Sequence, residues 1–450
     1  MTRLLLVLAL GCGASSSNTP PPAQVPGPDA GEISEPELVT SEAHVDLVLR
    51  TDALQTTIDR EFPNPIHRER SSRLQAEAVR GVLRLEPGNG GLLWTVPVEF
   101  WARASIGPLR FSCGVGAPRP QVDVTLRTEL RIDETWNLST ATTAGRRRWS
   151  RRCTVSFMNI DVTSMIDPHI AEAQARAARE IDAQAANFDL RQLLTQAWAM
   201  SAVPLDLHTS GDPLRFGMVP MGLRVGALSG DVTELRLRLA VVGRFWIAPR
   251  IRFALAGALP PPLESPAPAF VANLELPLEL DGLQSELRAA MQGVTVGEDI
   301  TVTDVELRIV TEGIAVSVQL TGASTPNVWA LGTLVHEGGV LRIAALHWSS
   351  VTTAAIHDEL LEAALSQLLF AALSRWQHPV KDALRETRDG ALAGMQTLAL
   401  GFDGVSVHAE LEVPSSGGVV FGDAQELMLR VPMPGQLTIT VDAASVAGPP

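Results

Sequence analysis

The sequence predicts an α+β fold of two tandem domains, each a curved antiparallel sheet packed on a long apolar helix. Three observations carry this. TDALQTTI at residues 51–58 comes back as LDGLQSEL at 280–287, with Asp52 matching Asp281, Leu54 matching Leu283, Gln55 matching Gln284 and Ile58 matching Leu287. An apolar/polar alternation precedes each copy, HVDLVLR before the first and NLELPLEL before the second. In each half, stretches of period-two alternation are joined to a long helical stretch. Such alternation means one buried and one wet face, as in antiparallel sheet.

Taken in order, residues 44–50 read as a strand and 52–62 as a helix with Asp52 as N-cap. WTVPVEF (94–100), VDVTLRTELRI (122–132) and TVSFMNIDV (154–162) are strands, and Arg146, Arg147, Arg148, Arg151 and Arg152 fall between two of them. Asp167 caps a helix that Pro168 opens and that runs to about 202, with Ile170, Ala177, Ile181, Phe188 and Trp198 along its apolar stripe. Strands resume at LRFGMVP (214–220) and ELRLRLAVV (234–242). PPPLESPAP (260–268) resists helix and central strand alike. It serves as the linker between a first domain at 41–259 and a second at 269–445. The second half replays the order: a helix at 281–292, a hairpin of 305–310 and 314–320 around Thr311-Glu312-Gly313, then a helix over 353–395. That helix carries Ile356, Leu360, Ala364, Leu368, Ala372, Trp376, Val380 and Leu384 at four-residue spacing, and Pro379 kinks or restarts it. Strands at 405–413 and 437–441 close the chain.

The address is written at the N-terminus. Arg3 is followed by LLLVLAL (4–10), seven apolar residues, too few to span a membrane. The run ends ALGC, which looks like a bacterial lipobox with Cys12 as the acylated residue, although Ala9 stands where leucine is usual. The plainer alternative is an ordinary secretory signal with an incidental cysteine. Residues 1–12 are then a lipoprotein signal and 13–40 a Ser/Pro/Gly-rich tether. Gly13 after the cysteine, rather than Asp, points by analogy with lipoprotein sorting to the outer membrane, on its periplasmic face. In an oxidising compartment the two remaining cysteines, Cys113 and Cys153, are expected to pair; the alternative is two buried thiols.

The formal charge of −14 argues against a nucleic-acid partner. The sequence has no nucleophile elbow, P-loop, dinucleotide fingerprint or H-E-x-x-H, so neither catalysis nor a cofactor is expected. His336-Glu337 and His347 match no common metal spacing, and His357, Asp358 and Glu359 suit the first turn of a helix. RRRWSRR (146–152) is the sharpest local feature. Arg146, Arg147 and Arg148 are candidates for an anionic headgroup, with Trp149 entering the interface; the plainer reading is a solvated hairpin tip. The helix stripes are core more often than ligand groove. Ala177, Ala364 and Ala372, however, leave room for a long, narrow apolar slot that suits acyl chains. Its candidate lining is Leu54, Ile58, Ile181, Leu194, Trp198, Leu283, Leu287, Ile356, Leu360, Leu368 and Trp376.

A lipobox followed by VDLVLRTDALQTTIDREFP, SMIDPHIAEAQARAAREID, LLTQAWAMSAVPLDL and LRFGMVPMGLRVG, and then by VTDVELRI and LHWSSVTTAAIHDELLEAAL, resembles domain-of-unknown-function family 4403 over about residues 40–445. That family's architecture looks similar to the tubular lipid-binding (TULIP) superfamily, whose members wrap a curved sheet around a long helix. The resemblance implies two tandem TULIP-like domains and a lipid-binding or lipid-carrying envelope lipoprotein, and it brings no catalytic residues. The competing expectation is a structural or assembly lipoprotein that binds an envelope protein partner and no lipid. An envelope hydrolase lacks a visible nucleophile–base pair, and a transmembrane β-barrel is at odds with the long helices.

Overall fold

The computed structural model describes residues 25–53, 55–56, 64–71, 74–88, 91–106, 109–116, 118–155, 160–207, 213–250, 256–296, 299–322, 327–356, 359–400 and 403–442. Cys12, Leu54 and Ile58 lie outside them, as does the side chain of Leu360. The fold is α+β with large curved sheets. In chain order the first elements are β1 (Thr40–Arg50), β2 (His67–Arg70), β3 (Leu74–Arg80), β4 (Arg84–Gly88), β5 (Gly91–Ile106), β6 (Leu109–Cys113), β7 (Gln121–Ile132) and β8 (Leu138–Arg151). Next come β9 (Thr154–Val155), β10 (Ile160–Asp161), α1 (Thr163–Ala186), α2 (Leu190–Ser201), β11 (Leu205–Leu207), β12 (Leu214–Gly230), β13 (Glu234–Ala248) and β14 (Val271–Leu278). Then follow α3 (Leu280–Met291), β15 (Thr295–Val296), β16 (Ile300–Val310), β17 (Gly313–Thr321), β18 (Asn327–Glu337), β19 (Val340–Trp348), α4 (Ser350–Ala355) and α5 (Glu359–Arg375). The last are β20 (His378–Pro379), α6 (Lys381–Leu400), β21 (Val405–Leu411), β22 (Ser416–Gly422) and β23 (Leu427–Asp442).

Contacts divide the chain into two compact units. The larger takes Pro36–Leu276, Val380–Gly418 and Leu429–Pro450; the smaller takes Met1–Glu35, Pro277–Pro379 and Val419–Met428.

In the larger unit, β1 lies between β13, antiparallel, and β23, parallel. Its core joins Trp136, Leu194, Trp198, Leu223 and Leu239. Trp136 reaches this core from the β7–β8 turn at φ 66°, a conformation a bulky side chain rarely adopts. Asp133 fixes that turn by accepting from the Asn137 amide, the Thr135 hydroxyl, the Asn137 side chain and the Thr135 amide, and these bonds lower its carboxyl to a pKa of about 2. The Trp136 indole donates to the Pro260 carbonyl at 2.6 Å. Residues 260–268 therefore run inside this unit as a strap, held also by Leu263 N–H to the Leu223 carbonyl and Ala267 N–H to Glu42. The division between units falls at Leu276/Pro277.

In the smaller unit, β15 to β20 pair antiparallel in sequence order. α3 buries Leu283, Leu287 and Met291, and α5 buries Leu365, Leu369 and Leu373. β17 is buried on both faces. On the face shared by Arg308, Ala315 and Trp329, the cover is the chain's own residues 25–31. Val25 packs against Trp329, Asn327 bonds both the N–H and the carbonyl of Val25, and Gly31 N–H donates to the Ile309 carbonyl. Arg308 donates to the Pro28 carbonyl and lies 4.7 Å from the Trp329 ring centroid. The expected tether over 13–40 is thus part of the folded body from Val25 onward. Its prolines, which deny it a place in the ladder, still leave carbonyls and a buried valine to offer.

The internal repeat has a matching contact. Residues 51–53 and 55–56 are helical after β1, as α3 is after β14. Gln55 accepts from Leu83 N–H at 2.9 Å, and its counterpart Gln284 accepts from Leu307 N–H at 3.2 Å. A second recurrence was not legible by spacing. Gly230-Asp231 turns β12 into β13 and Gly422-Asp423 turns β22 into β23, each with the aspartate accepting two backbone amides. Both glycines have positive φ, and a Cβ there would sit about 2.1–2.2 Å from a carbonyl oxygen of Glu234 or Glu426.

Two long helices are divided. The stretch expected at 168–202 is α1 and α2, because Asp189 caps a new helix by accepting from Gln192 N–H. The stretch expected at 353–395 is α4, α5 and α6. Ser349 caps the first, and His378-Pro379 leaves the helix to pair with Leu341 and Val340 before α6 restarts.

Trp136→Ala is expected to destabilise the larger unit by about 3–5 kcal/mol, read as a lower denaturant midpoint. A chain beginning at residue 41 is expected to be about 3 kcal/mol less stable than one beginning at residue 13, from the lost backbone hydrogen bonds of residues 25–33. Equal midpoints would show the cover by residues 25–33 to be inert.

Candidate functional site: an arginine-rich sheet clamped to a helix

The second sheet of the larger unit has the order β2-β3-β5-β7-β8, with β4 and β6 also on β5. β8 is its edge strand and carries LSTATTAGRRRWSR. The stretch did not read as a strand because its alternation is between threonines and arginines rather than between apolar and polar residues. α1 packs against β8, and β8 needs no apolar face because α1 offers it a polar one.

The match is made residue by residue. A bulge in β8 sets Gly145 and Arg146 opposite Thr125. The extra residue of a bulge disrupts the ladder, and the buried Gln174 amide donates to the carbonyls of Thr125 and Gly145 at 2.5 and 3.2 Å. Arg147 grips Asp167 through two hydrogen bonds of 3.0 and 2.8 Å and donates to Gln174 at 3.1 Å. The Trp149 indole adds a 3.1 Å bond to the same aspartate. Farther along, Asp182 accepts from Thr140 Oγ1, Thr142 Oγ1 and Thr142 N–H, between 2.7 and 3.1 Å. An edge strand offers unpaired amides, and Asp182 takes one of them. The Arg147 guanidinium holds the Asp167 carboxyl below its ordinary value, with Trp149 assisting. Burial pushes Asp182 up, but the Thr142 and Thr140 bonds outweigh it and leave this carboxyl lowered too.

This use of Asp167 corrects its expected role as a helix cap. The helix starts four residues earlier, at Thr163, whose amide is accepted by Asp161 at 2.9 Å. Beyond the polar row, Ile166, Ile170 and Trp149 pack on the cluster of Phe100 and the Cys113–Cys153 disulfide, which the structure forms as expected. Closing a loop with a sequence separation of 40 is worth about 4 kcal/mol in the chain-entropy account.

The arginine run therefore splits. It is strand rather than hairpin tip. Arg147 faces the helix with its guanidinium occupied, whereas Arg146 and Arg148 are exposed on the opposite face. The strand register brings Arg84, Trp101 and Arg103 to that same outer face. Two shallow hollows flank Trp101. One of about 240 Å³ is lined by Arg68, Arg70 and Glu77, the other of about 180 Å³ by Arg103 and Arg119.

The apolar candidates lie elsewhere. Leu194 and Trp198 point into the core under α2, and the Trp198 indole donates to the Gly257 carbonyl. Leu283, Leu287, Ile356 and Trp376 are buried in the smaller unit, and Ile181 is half-buried on α1. Leu368 is exposed at 42%. A feature the stripe pattern hid is that α2 and α5 expose apolar residues as well as burying them, on α2 among the exposed Arg191, Gln192, Thr195 and Gln196, on α5 beside the exposed Gln367. On α2, Leu193 and Met200 are 52% and 74% exposed, opposite buried Leu194 and Trp198. On α5, Ala363, Ala364, Leu368 and Ala371 face outward, opposite Leu365 and Leu369. Among the described residues no three His, Cys, Asp or Glu side chains gather as a metal site, and no helix is long and apolar enough to cross a membrane.

The family model described as Domain of unknown function (DUF4403) matches residues 40–441. No curated protein matches the chain. Among solved structures, a crystal structure of lipopolysaccharide binding protein is similar at 11% identity and a TM-score of 0.26, over 89% of this chain and 99% of that one. A likeness this distant fixes neither fold nor ligand.

Arg147→Ala is expected to cost about 1–3 kcal/mol of stability, and Arg146→Ala or Arg148→Ala no more than about 0.5 kcal/mol, in denaturant unfolding. Carboxyls with lowered values stabilise the fold above their ordinary value of 3.8, and that contribution drains as pH falls through the folded value. Hydrogen exchange should show α1 losing protection as pH falls below 3.8. Protection that persists in the wild type but not in Asp182→Asn would give the clamp a different origin.

Proposed function

The chain belongs to the DUF4403 family, and on that premise we propose that it is an envelope lipoprotein that binds or carries lipid or another apolar ligand, without catalysis. In this reading Cys12 is acylated and Gly13 directs the protein to the periplasmic face of the outer membrane. The body comprises two tandem TULIP-like domains.

The observation that carries the lipid reading is the exposure of Leu193 and Met200 on α2 and of Leu368 on α5. Large apolar side chains left exposed on a helix face mark a surface for an apolar partner. The sheets cover Leu194, Trp198, Leu365 and Leu369; acyl chains would cover Leu193, Met200 and Leu368. A second reading has its own support. Leu283, Leu287 and Leu369 are at most 1% exposed, so the inner faces are filled by the protein's own side chains, as a structural or assembly lipoprotein with a protein partner requires.

Native mass spectrometry with lipid extraction, on residues 13–450 exported to a periplasm, separates the two. Stoichiometric acyl lipid, lost in Leu193→Asp/Met200→Asp with the fold retained, is expected. A lipid-free mass that stays lipid-free after incubation with vesicles would favour the structural reading.

A further inference from the structure

Residues 67–152, which build the second sheet of the larger unit, carry fifteen arginines and eight carboxylates in a chain whose formal charge is −14. The excess is not spent internally. On the outer face Glu77 pairs with Arg68, Glu99 with Arg151 and Glu129 with Arg131, and Glu86 and Asp123 add two further negative charges. Arg70, Arg84, Arg103, Arg119, Arg146 and Arg148 form no ion pair with a described residue. Five of these six are exposed, and Arg119 is partly so. Trp101 sits half-buried among them with a hollow on each side, one lined by Arg68, Arg70, Glu69 and the Glu77 that pairs with Arg68, the other by Arg103 and Arg119 without a carboxylate.

We propose that the outer face of this sheet docks on an anionic phospholipid bilayer, with headgroup phosphates in the two hollows and Trp101 at the interface. The chemistry matches on each count. Arginine forks suit phosphate oxygens. An indole with one apolar side and one donor suits the headgroup layer. The rest of this acidic protein is repelled by such a surface, so the local excess orients the body. The protein's own sheet and clamp create the face: Gln174 and Asp167 draw Arg147 inward, and by strand alternation its neighbours Arg146 and Arg148 point out. Docking needs little intrinsic affinity if a lipid anchor already holds the body near the bilayer, because the second contact is then intramolecular. That last step rests on the lipoprotein reading above; the binding face does not.

The test uses residues 13–450, which keep every described residue, and vesicles of phosphatidylcholine with and without about a third phosphatidylglycerol. Binding to the anionic vesicles alone is expected, weakening steeply as salt rises. Arg70→Ser/Arg103→Ser/Arg119→Ser is expected to weaken it by roughly a hundredfold, at about fivefold per arginine, with the unfolding midpoint unchanged. Arg385→Ser, on α6, should leave binding as it was. For the unsubstituted chain, anionic vesicles should raise hydrogen-exchange protection at residues 67–70 and 101–103. Equal binding to neutral vesicles, protection confined to other segments, or full binding by a folded triple variant would overturn the proposal. So would displacement by inorganic phosphate at the same phosphate concentration, which would make the face a site for free anions. A body that holds no extractable lipid yet docks keeps this inference and sinks the carrier reading; a lipid-laden body that ignores anionic vesicles does the reverse.

Discussion

The contact between α1 and the edge strand β8 sets much of what this protein presents to its surroundings. Gln174 sits under the β8 bulge and takes the carbonyls of Thr125 and Gly145. Asp167 and Asp182, on the same face of the helix, fix Arg147 and the two threonines of the strand. Buried polar groups are costly when unpaired and specific when paired. A polar row of this kind therefore admits one register of helix on strand, where an apolar stripe would tolerate slippage. The register then dictates which arginines of the run turn inward and which turn out.

A similar economy closes the smaller unit. A sheet buried on both faces needs two covers, and helices supply one. The other comes from residues that look like linker: Val25, Pro28 and Gly31, laid along Arg308 and Trp329. The proline-rich 260–268 plays the same part in the larger unit, where the Pro260 carbonyl receives the Trp136 indole. Proline withholds a donor but keeps its carbonyl, and a strand face rich in Arg, Asn and Trp donors can use it.

The exposed apolar residues of α2 and α5 give the functional question its shape. Leu194 and Leu193, or Leu369 and Leu368, are adjacent in sequence and opposite in environment. A periodicity argument credits such residues to one broad stripe, since it cannot tell a wide buried face from two faces. The difference decides whether an apolar ligand would lie between helix and sheet or outside the helix.

By itself the sequence determined the α+β class, most strand and helix positions, the pairing of Cys113 with Cys153, and the recurrence of strand, helix and glutamine in the two halves. Each is a local signal: a period, a cap, a parity of cysteines, a short repeat. Only the tertiary structure decided that β8 is a strand, that Asp167 binds an arginine rather than capping a helix, and that residues 25–31 belong to the body. It also decided that Arg146 and Arg148 share a face with Trp101 and Arg103. These depend on partners between 18 and about 300 residues away in the chain. A side chain commits to whichever partner satisfies its charge or hydrogen bond when folded, and that partner is set by strand order and register, which no local pattern encodes.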